Sequence, residues 1–108
     1  MTKRFIFHSR YGNRPYDLEV EALPEFRFQP LVIFLHGFKG FKDWGVFPAM
    51  STYLARQGLA VARFNFSHNG VRPESNTELT DLDAFAANNF SIELDDLDQV
   101  IQFFASGK

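Results

Sequence analysis

Strict alternation of apolar and acidic residues marks the first part of the chain, over residues 16–22. The acidic positions in this stretch are Asp17, Glu19 and Glu21. A period of two is typical of a strand that has one buried and one solvated face. Residues 4–8 are also extended in character, and a turn-rich segment over residues 11–15 separates the two stretches. The pattern predicts an antiparallel hairpin at the solvated margin of a sheet, closed by residues 24–26.

A continuous apolar run follows at residues 31–35, Leu-Val-Ile-Phe-Leu. A strand that is apolar on both faces is typical of a parallel sheet covered by helices on both sides. After a loop over residues 36–46, apolar residues recur at helical spacing. These are Phe47, Met50, Tyr53 and Leu54, with Pro48 in the first turn and Gly58 at the expected C-terminal stop. Residues 59–64 are again strand-like, so the order predicts one right-handed strand–helix–strand crossover.

Residues 65–89 are rich in Ser, Asn, Gly, Pro and acidic side chains. This composition predicts a long surface excursion, with a short helical turn near residues 79–85. Ser91 is the expected N-cap of a final helix whose first turns are acidic, as the helix dipole favours. The acidic residues are Glu93, Asp95 and Asp96. The expected core-facing stripe consists of Leu94, Leu97, Ile101 and Phe104. Gly107 is the expected end of the helix.

Composition fits one domain built around a large core. The 108 residues are 45% hydrophobic and include 14 phenylalanines, which are stable in water only when most of them pack against other layers. No internal repeat, low-complexity tract or linker interrupts the chain. We therefore expect a single α/β domain over residues 1–108, with an antiparallel hairpin followed by parallel strands and crossover helices.

Charge and hydropathy limit the classes of molecule that the chain is expected to bind. The 11 basic and 13 acidic residues are spread along the chain and give a net charge of -2, so there is no basic stripe for nucleic acid. No apolar run approaches the roughly 18 residues of a membrane span, and the polar N-terminus does not resemble a signal peptide. The chain has no cysteine. These features predict a cytoplasmic protein that binds neither nucleic acid nor membrane.

The loop after the central strand carries the strongest chemical signal, His36-Gly37-Phe38-Lys39-Gly40. Active sites of α/β sheets lie at the carboxyl ends of their strands. Gly37 and Gly40, three residues apart, allow a sharp turn that exposes backbone N–H groups. Exposed N–H groups of this kind can stabilise a developing oxyanion. The loop is therefore the predicted site.

The chain resembles the front half of the α/β-hydrolase superfamily over nearly its whole length. The similarity rests on the order of apolar strand, His36-Gly37-Phe38, helix, and the segment Gly-Leu-Ala-Val-Ala-Arg-Phe-Asn-Phe at residues 58–66. It is strongest to esterases and serine peptidases of the dienelactone-hydrolase, feruloyl-esterase and serine-aminopeptidase type. The resemblance implies a three-layer α/β/α fold, a small-molecule ester or amide substrate and no cofactor. It also implies that the backbone N–H of Phe38 is one oxyanion-hole donor.

The resemblance puts the nucleophile outside these 108 residues. In such enzymes a Gly-x-Ser-x-Gly elbow lies on the strand after the helix that corresponds to residues 91–106, and the acid and the histidine come later. The expected domain is therefore incomplete and not catalytic alone. Residues 31–35 would then form an open sheet edge, through which self-association is expected. The alternative is a non-catalytic α/β binding or interaction module.

A serine lies beside a histidine, at Ser67 and His68, directly after a predicted strand. The flanking glycines of a nucleophile elbow are absent, and adjacent side chains point apart in an extended chain. We therefore expect an ordinary turn rather than a catalytic serine. Most hydrolase relatives carry an Asp-x-x-Gly-x-Gly-like turn at this point, so Asn65 and Ser67 depart from the commoner pattern.

Several other residues near this loop have two interpretations. His36 is a potential ligand or base, but a structural hydrogen-bonding role is favoured for it. His8, His36 and His68 show no metal-ligand spacing, so no metal site is expected. Nucleotide binding is not supported either. The two glycines Gly37 and Gly40 could form part of a phosphate-binding loop, but the Gly-Lys-Ser or Gly-Lys-Thr that such a loop requires does not follow them.

The remaining side chains of the loop allow electrostatic or packing roles. Lys39, Lys42 and Asp43 could steer an acidic substrate group, although solvated loop charges are the commoner outcome. Three aromatic side chains could line an acyl or aromatic pocket, but core packing is favoured for at least two of them. They are Phe41, Trp44 and Phe47.

Overall fold

The computed structural model describes residues 2–23, 29–37, 40–71, 73–75 and 80–105. Its strands are β1 (Thr2–His8), β2 (Pro15–Glu21), β3 (Leu31–Phe34) and β4 (Ala60–Phe64). Its helices are α1 (Phe47–Arg56), a short 3-10 helix (Pro73–Ser75), α2 (Leu82–Ala87) and α3 (Phe90–Ala105). The fold is a compact α/β arrangement, which confirms the expected fold class at this level.

Among the described residues, four strands form one open, mixed sheet in the order β1-β2-β4-β3. β1 and β2 are antiparallel neighbours, β2 is antiparallel to β4, and β3 runs parallel to β4. The predicted hairpin and the predicted parallel pair are therefore both present. Within the described part of the chain, β3 lies at one edge of the sheet, as expected for residues 31–35.

The turn between β1 and β2 contains two residues in the left-handed backbone region. Gly12 has φ 79° and Asn13 has φ 55°, and asparagine is one of the few other residues that tolerates this conformation. A hydrogen bond of 2.8 Å from the N–H of Ser9 to the carbonyl oxygen of Arg14 closes the turn. Residues 24–26, predicted to end the hairpin, lie outside the described residues.

α1 and β4 follow the predicted boundaries closely. Pro48 lies in the first turn of α1, and Gly58, with φ 94°, comes two residues after the last helical residue, Arg56. The left-handed conformation of Gly58 turns the chain out of the helix and towards β4. β3 and β4 pair in parallel, with Leu31 opposite Ala60. The strand–helix–strand order with parallel strands is confirmed.

The main core lies between the sheet and α3. Its buried members are Tyr16, Leu18, Ala62, Phe64, Phe66 and Val100. Aromatic rings extend it, since the ring centroid of Phe103 in α3 lies 4.9 Å from that of Phe5 and 5.1 Å from that of Phe7. Tilted ring contacts of this kind are favourable and bury a large apolar area. Several of the phenylalanines in the sequence therefore contribute their rings to this core.

α3 begins at Phe90, one residue before the predicted N-cap, Ser91. The side chain of Asn89 accepts a hydrogen bond of 2.9 Å from the N–H of Ile92, so Asn89 has the capping role instead. Asparagine and serine are both good N-caps, and local sequence does not choose between two such residues placed close together. Gly107, the predicted end of the helix, lies outside the described residues.

The buried face of α3 is offset from the predicted stripe. Its buried residues are Ile92, Asp96 and Val100, spaced by four. Leu94 and Ile101, which the sequence pattern places in the stripe, are 50% and 44% exposed. The prediction is wrong there because a carboxylate, Asp96, occupies a core-facing position that hydrophobicity does not reveal.

Residues 65–71 are buried, although the sequence predicts a surface excursion in this region. α2 covers Leu82–Ala87, slightly later than the turn predicted near residues 79–85. Asp81 caps it by accepting a hydrogen bond of 3.2 Å from the N–H of Ala84. In the part of the chain that the structure describes, no helix is long and apolar enough to cross a membrane.

Candidate functional site

Two loops meet at the carboxyl ends of the parallel strands β3 and β4. The β3 loop covers residues 36–43, of which 36–37 and 40–43 are described, and the β4 loop covers residues 65–71. Because β3 and β4 are parallel neighbours, their carboxyl ends lie at the same edge of the sheet, where α/β proteins place their sites. Phe38, the predicted oxyanion-hole donor, and Lys39 lie outside the described residues.

The turn in the β3 loop needs a glycine at position 40. The N–H of Gly40 donates a hydrogen bond of 2.9 Å to the carbonyl oxygen of Gly37. A Cβ atom added at Gly40 would lie 3.0 Å from that same oxygen, which is tighter than nearly all real Cβ contacts. At Gly37, an added Cβ atom would meet nothing within 4 Å. Steric crowding therefore explains the second glycine of the predicted motif but not the first.

His36 links the β3 loop to the β4 loop through Nε2, and its other ring nitrogen bonds within the β3 loop. Its Nε2 accepts a hydrogen bond of 3.2 Å from the backbone N–H of Phe66, and its Nδ1 lies 2.9 Å from the carbonyl oxygen of Gly37. Because Nε2 is an acceptor, the ring proton must be on Nδ1, which donates to Gly37. Burial lowers the pKa of His36 and favours this neutral form. His36 thus has a structural role, and both nitrogens already have protein partners.

Two asparagines of the β4 loop hold the β3 loop in place. Asn65 Oδ1 accepts a hydrogen bond of 2.7 Å from the backbone N–H of Lys42, and Asn65 Nδ2 donates one of 3.0 Å to Asp17. Asn69 Nδ2 donates to the carbonyl oxygen of Gly40 at 3.3 Å. An ionised aspartate at position 65 could not donate to the Asp17 carboxylate. The contact with Asp17 therefore requires an amide rather than a carboxylate at position 65.

A buried ion cluster joins the β3 loop to β2 and β4. Its members are Asp17, Glu19, Lys42, Asp43 and Arg63. Lys42 Nζ lies 2.5 Å from Glu19 Oε1 and 2.6 Å from Asp43 Oδ2, and Asp17 Oδ2 is 3.5 Å away. Arg63 Nη2 lies 3.1 Å from both Glu19 Oε2 and Asp43 Oδ1. Arg4 of β1 adds a contact of 2.9 Å to Asp17, so three cations face three carboxylates.

The buried ion cluster corrects two expectations. The sequence pattern places Asp17 on a solvated strand face and Lys42 in a solvated loop, but both side chains are fully buried. Burial alone would lower the pKa of Lys42, but hydrogen bonds to Asp43 and Glu19 outweigh it, and the net pKa is raised. Lys42 therefore stays charged. Its ammonium group is already paired with carboxylates of the protein and does not bind an acidic substrate group.

A second buried group, the Asp96 chain, connects the β4 loop to α3. It consists of Asp96, Ser67 and His68, each at most 6% exposed. The N–H of Ser67 donates a hydrogen bond of 2.7 Å to Asp96 Oδ2, and Ser67 Oγ lies 3.0 Å from Asp96 Oδ1. Ser67 Oγ also lies 2.8 Å from His68 Nδ1. Burial raises the pKa of Asp96 to about 6, because hydrogen bonds from Ser67 only partly offset the lost solvation.

The geometry of the Asp96 chain differs from the sequence expectation and from a catalytic triad. Ser67 and His68 lie in a turn, so their side chains are hydrogen-bonded and do not point apart. In a triad, the histidine lies between the acid and the serine. Here the serine lies between the acid and the histidine, and it is 6% exposed. This arrangement does not present Ser67 to a substrate as a nucleophile.

Two of the residues that build these contacts are not assigned to the site by the sequence-based prediction. Asp96 lies four residues from Ile92 and from Val100, and this spacing places a carboxylate on an apolar helix face. Arg63 likewise interrupts the otherwise apolar strand β4. A charged residue among the apolar residues of a buried strand or helix face is the signal that could have found both, because a buried charge is stable only when it is paired.

The aromatic residues near the β3 loop are only partly buried. Phe47 packs against Phe34 and Trp44, with ring-centroid distances of 4.5 Å and 6.0 Å. Phe41 and Phe47 are half-buried, which agrees with a packing role for two of the three predicted rings. Trp44 is 56% exposed and remains accessible beside the loop.

The described ranges hold no group of three or more histidine, cysteine or carboxylate residues placed to bind a metal ion. What the two loops offer chemically is a network of backbone and side-chain hydrogen bonds that connects Gly37 and Gly40 to each other and to the β4 loop. No known family model matches the chain, and no curated protein matches it significantly.

Proposed function

We propose that this chain forms the N-terminal part of an α/β-hydrolase-type domain that hydrolyses a small ester or amide through a serine nucleophile. The observation that carries the proposal is the position of β3. This strand leads into His36 and Gly37, is parallel to β4, and has no second neighbour among the described strands. The resemblance to α/β-hydrolases puts the nucleophile-bearing strand at that edge.

Side-chain alternation in β3 supports a three-layer arrangement. Ile33 packs against the core cluster that includes Val100 of α3, whereas Phe34 contacts Phe47 of α1 at a ring-centroid distance of 4.5 Å. Successive residues of a strand point to opposite faces of the sheet, so the core cluster and α1 lie on opposite sides of β3, as a three-layer arrangement would require. A parallel strand added beyond β3 would need this covering on both sides.

Fixed backbone geometry in the β3 loop is the second line of support. Oxyanion donors work best when they are held in place before the reaction begins. Gly37 and Gly40, which flank the segment containing Phe38, are hydrogen-bonded to each other, to His36 and to Asn69. In the proposed enzyme, these contacts would hold the N–H of Phe38 ready for the developing negative charge.

In this proposal, the catalytic serine, acid and histidine come from further chain, and the β3 loop supplies one oxyanion donor. His36 would position the loop rather than act as the base, since both of its nitrogens have protein partners. The chemistry is acyl transfer to serine followed by hydrolysis, for which no cofactor is needed.

The test compares the 108-residue chain with the protein expressed together with any coding sequence that follows Lys108 in its gene. Both are treated with a fluorophosphonate probe, which labels activated serines, and are assayed with short- and long-chain aryl esters and aryl amides. We expect labelling of one serine in the added segment and turnover by the longer protein only. Replacing that serine with alanine should abolish both.

Labelling of Ser67, or of any other serine in residues 1–108, would overturn the proposal. A longer protein without a reactive serine would also overturn it and would favour a non-catalytic α/β binding or interaction module. In that case, the open edge at β3 would be examined as the binding surface.

A further inference from the structure

The Asp96 chain places two titratable groups on either side of one hydroxyl. Asp96 is completely buried, so its carboxyl group has no direct contact with solvent. Ser67 Oγ lies 3.0 Å from Asp96 Oδ1 and 2.8 Å from His68 Nδ1, both within hydrogen-bond distance. The three groups therefore form a continuous row of hydrogen bonds from the buried carboxyl to the imidazole ring.

A hydroxyl group has a single proton, and this fixes the directions of the hydrogen bonds when Asp96 is ionised. The carboxylate can only accept, so the Ser67 hydroxyl donates its proton to Asp96 Oδ1. Ser67 Oγ then has only acceptor capacity left for His68. The contact of 2.8 Å therefore requires His68 to carry its proton on Nδ1 and to donate it to Ser67.

The directions reverse when Asp96 is neutral. Asp96 Oδ2 accepts the N–H of Ser67, so the acid proton belongs on Oδ1 and is donated to Ser67 Oγ. The Ser67 hydroxyl must then donate to a bare Nδ1 of His68. A neutral His68 ring in this state carries its proton on Nε2.

We propose that Asp96, Ser67 and His68 form a proton wire, through which ionisation of the buried carboxyl switches the tautomer of His68. As the pH rises, the Oδ1 proton moves to Ser67 Oγ, the hydroxyl proton moves to Nδ1, and the Nε2 proton leaves to water. One proton is released, one negative charge appears on Asp96, and no bond between heavy atoms changes. Nε2 of His68 is a hydrogen-bond donor below the transition and an acceptor above it.

The surroundings of Asp96 set where the transition lies. Burial raises the pKa of Asp96 to about 6, and the neighbouring Asp95 and Glu93 on α3 act in the same direction. Hydrogen bonds from the N–H and hydroxyl of Ser67 oppose this shift. From β2, the Tyr16 hydroxyl lies 3.4 Å from the backbone oxygen of Asp96. The carboxyl is thus poised to ionise in mildly acidic solution.

A different set of charges faces His68. Burial lowers the pKa of His68, and Arg14 of the β1–β2 turn acts in the same direction, while Asp81 at the start of α2 opposes it. Arg14 and Asp81 are paired with each other, so their effects on the ring partly cancel. A lowered pKa favours the neutral ring that the wire needs, because a doubly protonated imidazole has no bare nitrogen to accept the serine proton.

The proton wire does not depend on the proposed hydrolase function, since no substrate takes part in the step. Nuclear magnetic resonance of the folded protein, with isotope-labelled histidine rings and aspartate carboxyl groups, tests it directly. Between about pH 4.5 and about pH 8, the ring nitrogen shifts report the tautomer of His68, and the carboxyl shift reports the ionisation of Asp96. We expect His68 to change from the Nε2–H to the Nδ1–H tautomer with the same midpoint as Asp96.

Two variants separate the wire from a purely structural contact. Asp96→Asn puts a permanent donor where the neutral acid has its proton, so neutral His68 should keep the Nε2–H tautomer throughout. Ser67→Ala removes the connecting hydroxyl, so Asp96 should still titrate while the tautomer of His68 no longer follows it. Both variants are first checked for native-like amide spectra.

Three results would overturn the proposal. They are a second proton on the His68 ring while Asp96 titrates, a single tautomer of His68 while Asp96 ionises, and a tautomer change that persists in Ser67→Ala. Should either variant fail to fold, the agreement or disagreement of the two midpoints in the unmodified protein decides the question alone.

Discussion

Asn65 Nδ2 donates a hydrogen bond of 3.0 Å to Asp17 Oδ1, and both residues are completely buried. The contact connects the start of the β4 loop to β2, which pairs with β4. It also completes a path from Asp17 through Asn65 to the backbone of Lys42 in the β3 loop. The two site loops are therefore fixed to the sheet by one amide side chain.

Asn65→Asp should destabilise the fold more than Asn65→Ala. Alanine removes two hydrogen bonds and leaves the buried N–H of Lys42 without its acceptor, at a cost of about 1–3 kcal/mol. Aspartate keeps that acceptor but loses the donor and adds a buried negative charge beside Asp17, and this repulsion should lower the free energy of unfolding at neutral pH further. Urea unfolding measures both variants. Equal losses would show that the charge beside Asp17 has no effect.

Lys42→Met should lower the free energy of unfolding by about 3–5 kcal/mol, because it leaves the carboxylates of the buried ion cluster short of one cation. Lys3→Met is the matched control, since Lys3 is exposed on β1. Exposed substitutions of this kind usually change stability by no more than about 0.5 kcal/mol. Chemical denaturation at neutral pH compares the two, and similar losses would contradict a stabilising role for Lys42.

Asp96→Asn should become more stable relative to the unmodified protein as the pH rises from about 4 to about 6. Burial raises the pKa of Asp96 from 3.8 to about 6 in the folded state. The folded state therefore binds this proton more tightly than the unfolded state does. Its stabilising contribution is complete below the ordinary pKa and is lost as the pH rises through the folded value.

The expected change for Asp96→Asn over this interval is on the order of 2 kcal/mol, since each pKa unit corresponds to about 1.4 kcal/mol and the folded-state carboxyl is only half ionised at about pH 6. Urea unfolding at several pH values measures it. A difference between the two proteins that stays constant with pH would show that Asp96 ionises in the folded state as it does in the unfolded state.

His36→Phe should lose stability at about pH 7.5, because the buried N–H of Phe66 is left without an acceptor, at a cost of about 1–3 kcal/mol. Burial lowers the pKa of His36 from its ordinary value of 6.5. The contribution of His36 in the unmodified protein is therefore complete above the ordinary pKa and falls as the pH drops below it. The gap between the two proteins should narrow on acidification.

Urea unfolding across the same pH series measures this gap for His36→Phe. His8→Phe serves as the control, since His8 is exposed at the end of β1, and exposed substitutions usually change stability by no more than about 0.5 kcal/mol. A gap for His36→Phe that widens at acid pH would contradict the assignment of Nε2 as an acceptor.

Gly40→Ala should destabilise the protein by about 1–3 kcal/mol, because the new methyl group crowds the carbonyl oxygen of Gly37 and forces a backbone shift. Gly37→Ala should have a much smaller effect, since its methyl group meets nothing within 4 Å. Thermal and urea unfolding compare the pair. Equal losses would show that the close approach at Gly40 is relieved without cost.

Local patterns predict β1, β2, α1 and β4 well, because strand alternation and helical spacing depend on residues close together in the sequence. α3 is predicted as a helix, but its buried face is predicted only in part, since Leu97 and Phe104 pack against the core and Leu94 and Ile101 do not. The reason is that Asp96 becomes compatible with the core only through Ser67, which lies 29 residues earlier. The periodicity of apolar residues along the sequence cannot reveal a contact between residues so far apart.

The candidate site is predictable in its place but not in its supporting contacts. The sequence points to the β3 loop, and the structure brings His36, Gly37 and Gly40 together there with the β4 loop. The roles of Asp17 and Lys42 are not predictable in this way, because isolated charges on a strand and in a loop are usually solvated. Phe38 lies outside the described residues, so its role as a donor stays a prediction.

The buried ion cluster has a consequence for the alignment of strands. Glu19 of β2 lies opposite Arg63 of β4 in the observed pairing. A slip of one residue would turn Glu19 into the hydrocarbon core, and Arg63 and Lys42 would lose this carboxylate and keep Asp43 of the β3 loop. Apolar side chains tolerate several alignments, but charges held away from water do not. The buried ion cluster therefore selects one register between β2 and β4, whatever its net contribution to stability.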